Sequence, residues 1–547
     1  MTSKTMSEHF DYVIIGAGAA GAILANRLSD DGITTVCLLE AGPKDSHPLL
    51  HIPAGYIKSV FNPKLSWQFS SEPHPLTSNR RIPLPQGRTL GGSTSINGLV
   101  YNRGQREDFD GWAALGCRGW GYEDVLPYFK RNEQRLTKGD PHFRGLDGPV
   151  PISDIEWIHP ICEAFMTGAE SLGLPRNPDY NAASQFGVGY FQRTIAGRWR
   201  MSTARTYLKP IRQRANLEVR TESQATQIMF EGKRAVGVRY AKTSAPSLSR
   251  QVLARREVIV CSGALNTPKL LQLSGVGSAT LLESKGIPVI HHLAGVGENL
   301  SDHFSIRMAI RVKNSLTINE LSRGPRLIAQ IAQWMLGRPS ILTLSPSLVH
   351  WFAHSQAGLS RPDLQGVFSP ASYREGYVGR LDNYPGMTCG VWAHRPHSRG
   401  YVRLASNDPF ADPLIQPNYL SDERDQATLI AGMKLARKLL NTSALADYAV
   451  AETLPGVSIQ KDDELLDFAK RYGVSSYHVN GSARMGSSSD PYAVVDDQLK
   501  VHGLTALRVV DASVMPTIPS ANTCAATMMI AEKAADFIKS DKRETGR

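Results

Sequence analysis

Cysteine is scarce and scattered in this 547-residue chain: Cys37, Cys117, Cys162, Cys261, Cys389 and Cys524 form no CxxC pair. That spacing fits neither a zinc cluster nor a disulfide framework, and it points to a reducing compartment. Long apolar runs are missing too. The longest stretch, Tyr12 to Leu28, is interrupted by Gly16, Gly18 and Gly21 and carries Asn26 and Arg27, so it is too short and too polar to span a bilayer. The first ten residues have neither an apolar core nor a small-residue cleavage site, and no secretory signal is read there. Basic residues outnumber acidic ones, 61 to 50, yet they run no further than doublets such as Arg80-Arg81 and Arg255-Arg256. The net charge of +11 suits anionic cofactors or surfaces without specifying one, and nucleic acid is not expected as a partner. No repeat and no long linker divides the chain. A soluble, cytoplasmic protein without a transmembrane segment is the expectation; contact with a membrane surface and the oligomeric state stay open.

What the chain has is the composition of a globular protein, 41% hydrophobic and 20% charged, which excludes disorder and leaves material for a large core. Its clearest unit runs from Asp11 to Glu40. Tyr12-Val13-Ile14-Ile15 is a short, fully apolar, β-branched run of the kind covered on both faces. It enters Gly16-Ala17-Gly18-Ala19-Ala20-Gly21, a helical pattern with Ile23, Leu24 and Leu28, and a second apolar strand, Thr35 to Leu39, closed by Glu40. Gly16 permits the tight turn, Gly18 lets backbone approach a pyrophosphate, and Gly21 allows close packing of helix on strand. The helix start presents unpaired N–H groups to the phosphates. Glu40, 19 residues after Gly21, is placed to accept from adenosine ribose hydroxyls and to repel a 2′-phosphate. This unit reads as a dinucleotide site and leaves FAD and NAD both open.

Three further segments repeat the theme. Gly87 to Gly98 carries Gly91-Gly92 followed by Ser93, Thr94 and Ser95, which suits a phosphate or a polar ring edge and equally suits a plain turn. Val258 to Cys261 is a buried-strand pattern ending at Ser262-Gly263-Ala264, and Leu507 to Val510 is another, ending at Asp511-Ala512. With these segments in place the sequence resembles the glucose–methanol–choline (GMC) family of flavin-dependent alcohol oxidoreductases over essentially its whole length. Gly87 to Asp110 fits the family's first signature and Gly263 to Gly277 its second; Tyr477-His478-Val479-Asn480-Gly481-Ser482 is similar to its C-terminal histidine block, and Asn522 to Ala535 to its closing helix. Val479 and Ser482 depart from the usual proline and threonine. The pattern is most similar to the choline dehydrogenase and bacterial alcohol dehydrogenase branch.

The resemblance implies an α/β fold in which a Rossmann-type FAD-binding domain, residues 8–155, 195–310 and 470–540, is interleaved with an α+β substrate domain, residues 156–194 and 311–469. It implies FAD held without a covalent bond, since Gly91 to Asn97 contains no histidine. Gly16, Gly18 and Gly21 would hold the pyrophosphate and Glu40 the ribose. Gly91, Gly92 and Asn97 would line the flavin, the backbone near Ala225 the adenine, and Asp511 and Ala512 the ribityl and pyrophosphate. Among fifteen histidines, His478 is singled out by its flanks alone. His350 and His354, four apart and able to share a helix face, suggest no third ligand, and no metal site is read.

The implied activity is oxidation of a primary alcohol to an aldehyde by hydride transfer to flavin N5, with His478 as general base and oxygen or a quinone-like compound as electron acceptor. An ordinary imidazole value near 6.5 would place the acid limb of that activity in the neutral range. Asn522 would donate to the substrate oxygen, against the plain alternative of a helix N-cap before Thr523 to Ile538. A non-redox lyase of the hydroxynitrile lyase type and a flavin photoenzyme share the implied fold and remain alternatives. Residues 311–400 carry Trp334, Trp351, Phe352, Phe368, Tyr373, Tyr377 and Trp392, of which none is assigned to a substrate pocket in preference to the core.

Overall fold

Two seven-stranded sheets organise the chain, each with one of its faces or edges turned to a common cavity. The computed structural model describes residues 8–374 and 380–545, so Tyr377 lies outside the described residues.

The first sheet is built on β1 (His9–Ile15), which pairs in parallel with β2 (Val36–Leu39) on one side and with β3 (Ala245–Val260) on the other. Helix α1 (Ala19–Leu28) makes the crossover between β1 and β2. Strand Leu217–Arg220 extends the sheet beyond β2, and strand Leu507–Val509 pairs in parallel with β3. Because β1 is flanked by strands reached in opposite directions, a crevice opens beyond its carboxyl end, the usual ligand position in an open α/β sheet. The strand ends are level: Ile15 lies beside Leu39 and Val260, and Val260 beside Val509. Both faces of these strands are covered, so Val13, Ile14, Val36, Cys37, Leu38, Val258 and Ile259 have no exposed surface and need no alternation of polar residues.

The second sheet is antiparallel and does alternate. Its strands include β4 (Phe304–Val312), β5 (Leu364–Ser369) and β6 (Gly386–Ala393), with β6 between the other two. Ile306, Met308, Phe368, Met387, Cys389 and Val391 point to a core shared with Leu429, Met433 and Ala436 of helix Glu423–Leu440. Ser305, Arg307, Gln365, Val367, Thr388 and Trp392 fall on the opposite, cavity face, as a period of two requires. The whole of β4 belongs to this sheet, so the expected boundary after residue 310 falls inside a strand. Gly187–Tyr190 is a strand of the same sheet.

Helix α2 (Gly263–Leu273) starts three residues beyond β3, and helix α3 (Thr523–Thr545) runs beyond the expected end at Ile538. The fully buried Glu532 on α3 takes a two-pronged ion pair from Arg27 on α1 (2.8 and 2.9 Å) and a hydrogen bond from the Tyr207 hydroxyl (2.8 Å). That clamp fixes α3 against the first sheet and so fixes where its amino end, beside Asn522, arrives.

Candidate active site

A cavity of about 410 Å3 runs along the level strand ends and under the polar face of the second sheet. Ile15, Gly16, Leu39, Glu40, Cys261 and Asp511 line one part of it, each at or just past the end of a parallel strand. His478, Asn522, Gln365 and Trp392 line another.

The glycines act by what they leave out. Gly16 has φ +101°, and a Cβ there would sit 2.4 Å from the Cys261 carbonyl oxygen. Gly92 has φ +51°, and a Cβ would meet the Gly18 Cα at 2.7 Å, so two loops from distant parts of the chain touch at glycine alone. Gly21 and Gly91 stand behind the cavity wall: a Cβ on Gly21 would strike the Gly16 carbonyl at 1.9 Å, and Gly91 donates its N–H to the Ala17 carbonyl (2.8 Å). Gly18 occupies the N-cap of α1 and offers no side chain to it, which leaves the first-turn N–H groups beside Gly18, Ala19 and Ala20 turned toward the cavity.

Glu40 has two duties. Its carboxylate accepts from the Ala17 N–H (2.9 Å) and the Gly42 N–H (2.8 Å), stitching the glycine turn to the end of β2, while the residue also lines the cavity. Burial pushes its value up to about 7 against those two hydrogen bonds. Asp511 behaves alike: it accepts from Gly263 N–H (2.9 Å), the Thr267 hydroxyl (2.6 Å) and Ser513 N–H (2.8 Å), and burial raises its value above the ordinary one. Asn97 spends its oxygen on Leu99 N–H and Arg200, and the residue lines the cavity. Ala225 and Ala512 also line the cavity. Glycine contacts that exclude any side chain, an uncapped helix start for a pyrophosphate and a carboxylate at the end of β2 for a ribose form a donor set that fits FAD.

The histidine centre lies where irregular segments converge. Asp302, at the entry to β4, accepts through one oxygen from the backbone N–H of His478 (2.8 Å) and of His303 (2.9 Å), and through the other from Tyr419 and Ser475. Burial raises Asp302 to about 6, opposed by those four donors, so it is charged at neutral pH and holds both histidine backbones. Tyr477, immediately before His478, has φ +64°, a strained conformation for a bulky residue that turns the imidazole inward. Ser482 donates to the Ala264 carbonyl (2.5 Å) and Val479 packs into an apolar cluster, so both departures from the family pattern are local fits.

The hydrogen-bond chain sets the tautomer of His478. The His394 carbonyl can only accept, so His303 Nε2 carries a proton toward it (2.7 Å). Burial lowers His303 to about 4, which leaves it neutral and makes its Nδ1 a lone pair. His478 Nδ1, 2.9 Å away, must then be the donor, and His478 Nε2 is the bare acceptor facing Asn522 Nδ2 at 2.8 Å. Burial, reinforced by His303, also holds His478 well below 6.5. The acid limb therefore belongs below the neutral range expected from an ordinary imidazole. Asn522 Oδ1 is buried and has no partner among the described residues, so the side chain is not spent capping α3.

Residues missed by the sequence analysis are Asp302, His303 and the polar face of β5 and β6. The adjacent Asp302-His303 pair ahead of an apolar alternation was their one visible signal. His350 lies on strand Val349–Ala353 and His354 just after it, not on a helix, and His350 is fully buried. Among the described residues no His, Cys, Asp and Glu group is arranged to hold a metal ion, and no helix is long and apolar enough to cross a membrane.

Comparison with known proteins agrees with this architecture. Residues 10–305 and 396–531 match the two family models described as GMC oxidoreductase. The chain is 39% identical to the alcohol dehydrogenase [acceptor] of Pseudomonas putida, covering 97% of this chain and 95% of that protein. It is 38% identical to the oxygen-dependent choline dehydrogenase of Vibrio vulnificus over the same shares. The crystal structure of pyridoxine 4-oxidase from Mesorbium loti superposes with a TM-score of 0.87 at 29% identity, covering 96% of this chain and 98% of that one. With matching models over both halves of the chain and relatives of this identity along its length, the chain belongs to the GMC oxidoreductase family, FAD-dependent enzymes acting on CH–OH groups.

Proposed function

We propose that the protein oxidises a primary alcohol to an aldehyde, with His478 Nε2 as the general base. The observation that carries this reading is the proton chain from the His394 carbonyl through His303 to His478, which leaves an unprotonated, buried nitrogen facing the cavity. FAD, held without a covalent bond, supplies the acceptor for the carbon-bound hydride. The remaining work belongs to the protein. A substrate hydroxyl entering between His478 and Asn522 takes the place of their mutual 2.8 Å contact. Its proton passes to His478 Nε2, and the amide nitrogen of Asn522 donates to the oxygen as negative charge grows there. His478 and His303 are neutral and the Asp302 carboxylate is spent on its own four donors, so the developing alkoxide is the strongest acceptor within reach of that amide.

Oxygen or a quinone-like compound then takes the electrons; relatives named as an acceptor-dependent alcohol dehydrogenase and as an oxygen-dependent choline dehydrogenase support either route equally. The proposed division of the chain follows the two sheets, with the cofactor on the parallel strand ends and the substrate under the antiparallel face. Anaerobic mixing with primary alcohols is the test. Bleaching of the flavin supports the reading, and a flavin that stays yellow with every aliphatic, aryl, furanic and choline-like alcohol overturns it.

A further inference from the structure

The cavity face of the second sheet contains polar atoms that the fold leaves without partners. Registers between neighbouring strands place Ser305 on β4, Trp392 on β6 and Gln365 on β5 in one row across the sheet. Trp392 lies next to the catalytic histidine, its ring centroid 6.1 Å from that of His478. Gln365 is fully buried and neither its amide oxygen nor its amide nitrogen meets a partner among the described residues; the same holds for the indole N–H of Trp392, which is 5% exposed. All three residues line the cavity. Ser305 differs, since its hydroxyl donates to the Val474 carbonyl (3.2 Å). Fully buried polar atoms without partners are costly, and where they line a cavity a ligand can complete them.

We infer that the row formed by Gln365 and Trp392 is a recognition subsite for an uncharged hydrogen-bonding group, an amide or hydroxyl, carried by the alcohol a short spacer away from its carbinol. This deepens the alcohol-oxidation reading and rests on it. The two donor nitrogens, with three N–H bonds between them, and the one carbonyl acceptor of the row match a group that both accepts and donates. A trimethylammonium head offers neither, so it leaves each of these atoms unpaired in a dry wall, at a loss of roughly 5- to 150-fold per atom. Charge points the same way. The carboxylates among the described cavity residues, Glu40 and Asp511, sit at the strand ends and are bonded to backbone there, whereas the charged side chain that this sheet brings to the cavity is Arg307, stacked 5.1 Å over the Tyr373 ring. The aromatic rings lining the cavity, Trp392 and Tyr477 among them, are what favours a quaternary cation, and the experiment includes that arm.

The test compares kcat/KM of the holoenzyme for two matched pairs: 4-hydroxybutanamide against 4-methylpentan-1-ol, and choline against its neutral carbon isostere 3,3-dimethylbutan-1-ol. The amide should exceed the branched alcohol by tenfold or more, and choline should fall below its isostere. Gln365→Met, which keeps length and removes both polar atoms, should bring the first ratio to within threefold of unity at full FAD content. Trp392→Phe should shift it the same way and serves if the Met variant fails to fold. Butanamide, which has no hydroxyl, should perturb the flavin absorbance of the holoenzyme and lose affinity in either variant. A first ratio unmoved by Gln365→Met in flavin-replete protein, or choline outrunning its isostere, overturns the subsite. If none of the four alcohols and none of the wider aliphatic, aryl and furanic panel bleaches the flavin, the alcohol reading itself fails, and the butanamide titration alone decides the subsite.

Discussion

Replacing His303 by leucine tests the tautomer argument without touching the proposed base. In the wild-type protein the proton on His478 Nδ1 is held there by the His303 Nδ1 lone pair at 2.9 Å, itself fixed by the 2.7 Å bond from His303 Nε2 to the His394 carbonyl. Leucine removes that acceptor and strands a buried N–H, which costs about 1–3 kcal/mol. The imidazole can relieve the cost by moving the proton to Nε2, where the amide oxygen of a rotated Asn522 would accept it. That tautomer has no lone pair facing the substrate, so a preference of this size lowers the competent fraction roughly 5- to 150-fold. His303→Leu should therefore slow anaerobic flavin reduction at saturating alcohol by one to two decades with FAD content intact. His303→Gln, whose carbonyl can accept from His478 while its amide nitrogen donates to His394, should recover most of the rate. Nitrogen NMR of labelled histidine should find the His478 proton on Nδ1 in wild type and on Nε2 in the leucine variant. A flavin-replete His303→Leu protein that reduces its flavin within twofold of wild type would refute the reasoning.

His478→Ala should lose on the order of 10²–10⁴ in the reduction rate, Asn522→Ala less, and the double variant less than the product, because both groups act on one oxygen; additive losses would separate them. Since burial holds His478 well below 6.5, its neutral form persists on mild acidification, and the reduction rate should stay level from pH 8 to 6.5 and fall only below that range. Acid precipitation should release FAD into the supernatant, as colour retained in the pellet would show a covalent bond. Ribose hydroxyls donating to Glu40 favour its charged form and lower its value from about 7, so FAD should bind more tightly as pH rises toward 7, by at most about tenfold per unit, and level off above; Glu40→Gln should abolish the slope in a titration of apoprotein. A Cβ on Gly366 would lie 1.6 Å from the buried Trp351 ring, so Gly366→Ala should destabilise the second sheet by about 1–3 kcal/mol or more, read as a lowered Tm.

The dinucleotide half of the site was legible because its chemistry is local. Gly16, Gly18, Gly21 and Glu40 lie within one β-α-β unit, and two of the glycines have a backbone reason that survives in the structure, a positive φ at Gly16 and a carbonyl that tolerates no Cβ at Gly21, whereas a Cβ on Gly18 would reach the Gly92 Cα only at an ordinary 3.9 Å. Even there the reading was partial. A carboxylate at the end of a strand announces a ribose, but nothing in the order of residues shows that Glu40 and Asp511 would also be bound to backbone N–H groups from other segments. The second sheet was illegible for a different reason. Gln365 and Trp392 stand on separate strands 27 residues apart, and only their register, with Gln365 opposite Trp392, makes them one surface. An aromatic-rich stretch reads as core until the pairing shows which members share the polar face: Phe368 and Trp351 went to the core, Trp392 to the cavity.

His303 shows the limit most sharply. Its function rests on a carbonyl 91 residues away and an imidazole 175 residues away, and neither partner carries a side-chain signature for the contact. The energetic logic nevertheless runs one way. Burial makes both imidazoles neutral, which supplies a base but leaves two tautomers open to it. A backbone carbonyl has no second protonation state, so it transmits a fixed polarity through His303 that a titratable carboxylate would not. Asp302, the nearby acid, is kept out of that chain: its four bonds go to backbone and hydroxyl donors, where it holds position and exchanges no proton with either ring. An acid hydrogen-bonded directly to His478 would raise the imidazole toward the neutral range and protonate part of the base at working pH. On the proposed mechanism this arrangement gives a weaker base that is free through the neutral range, and the level rate from pH 8 to 6.5 is the measurement that separates the two designs.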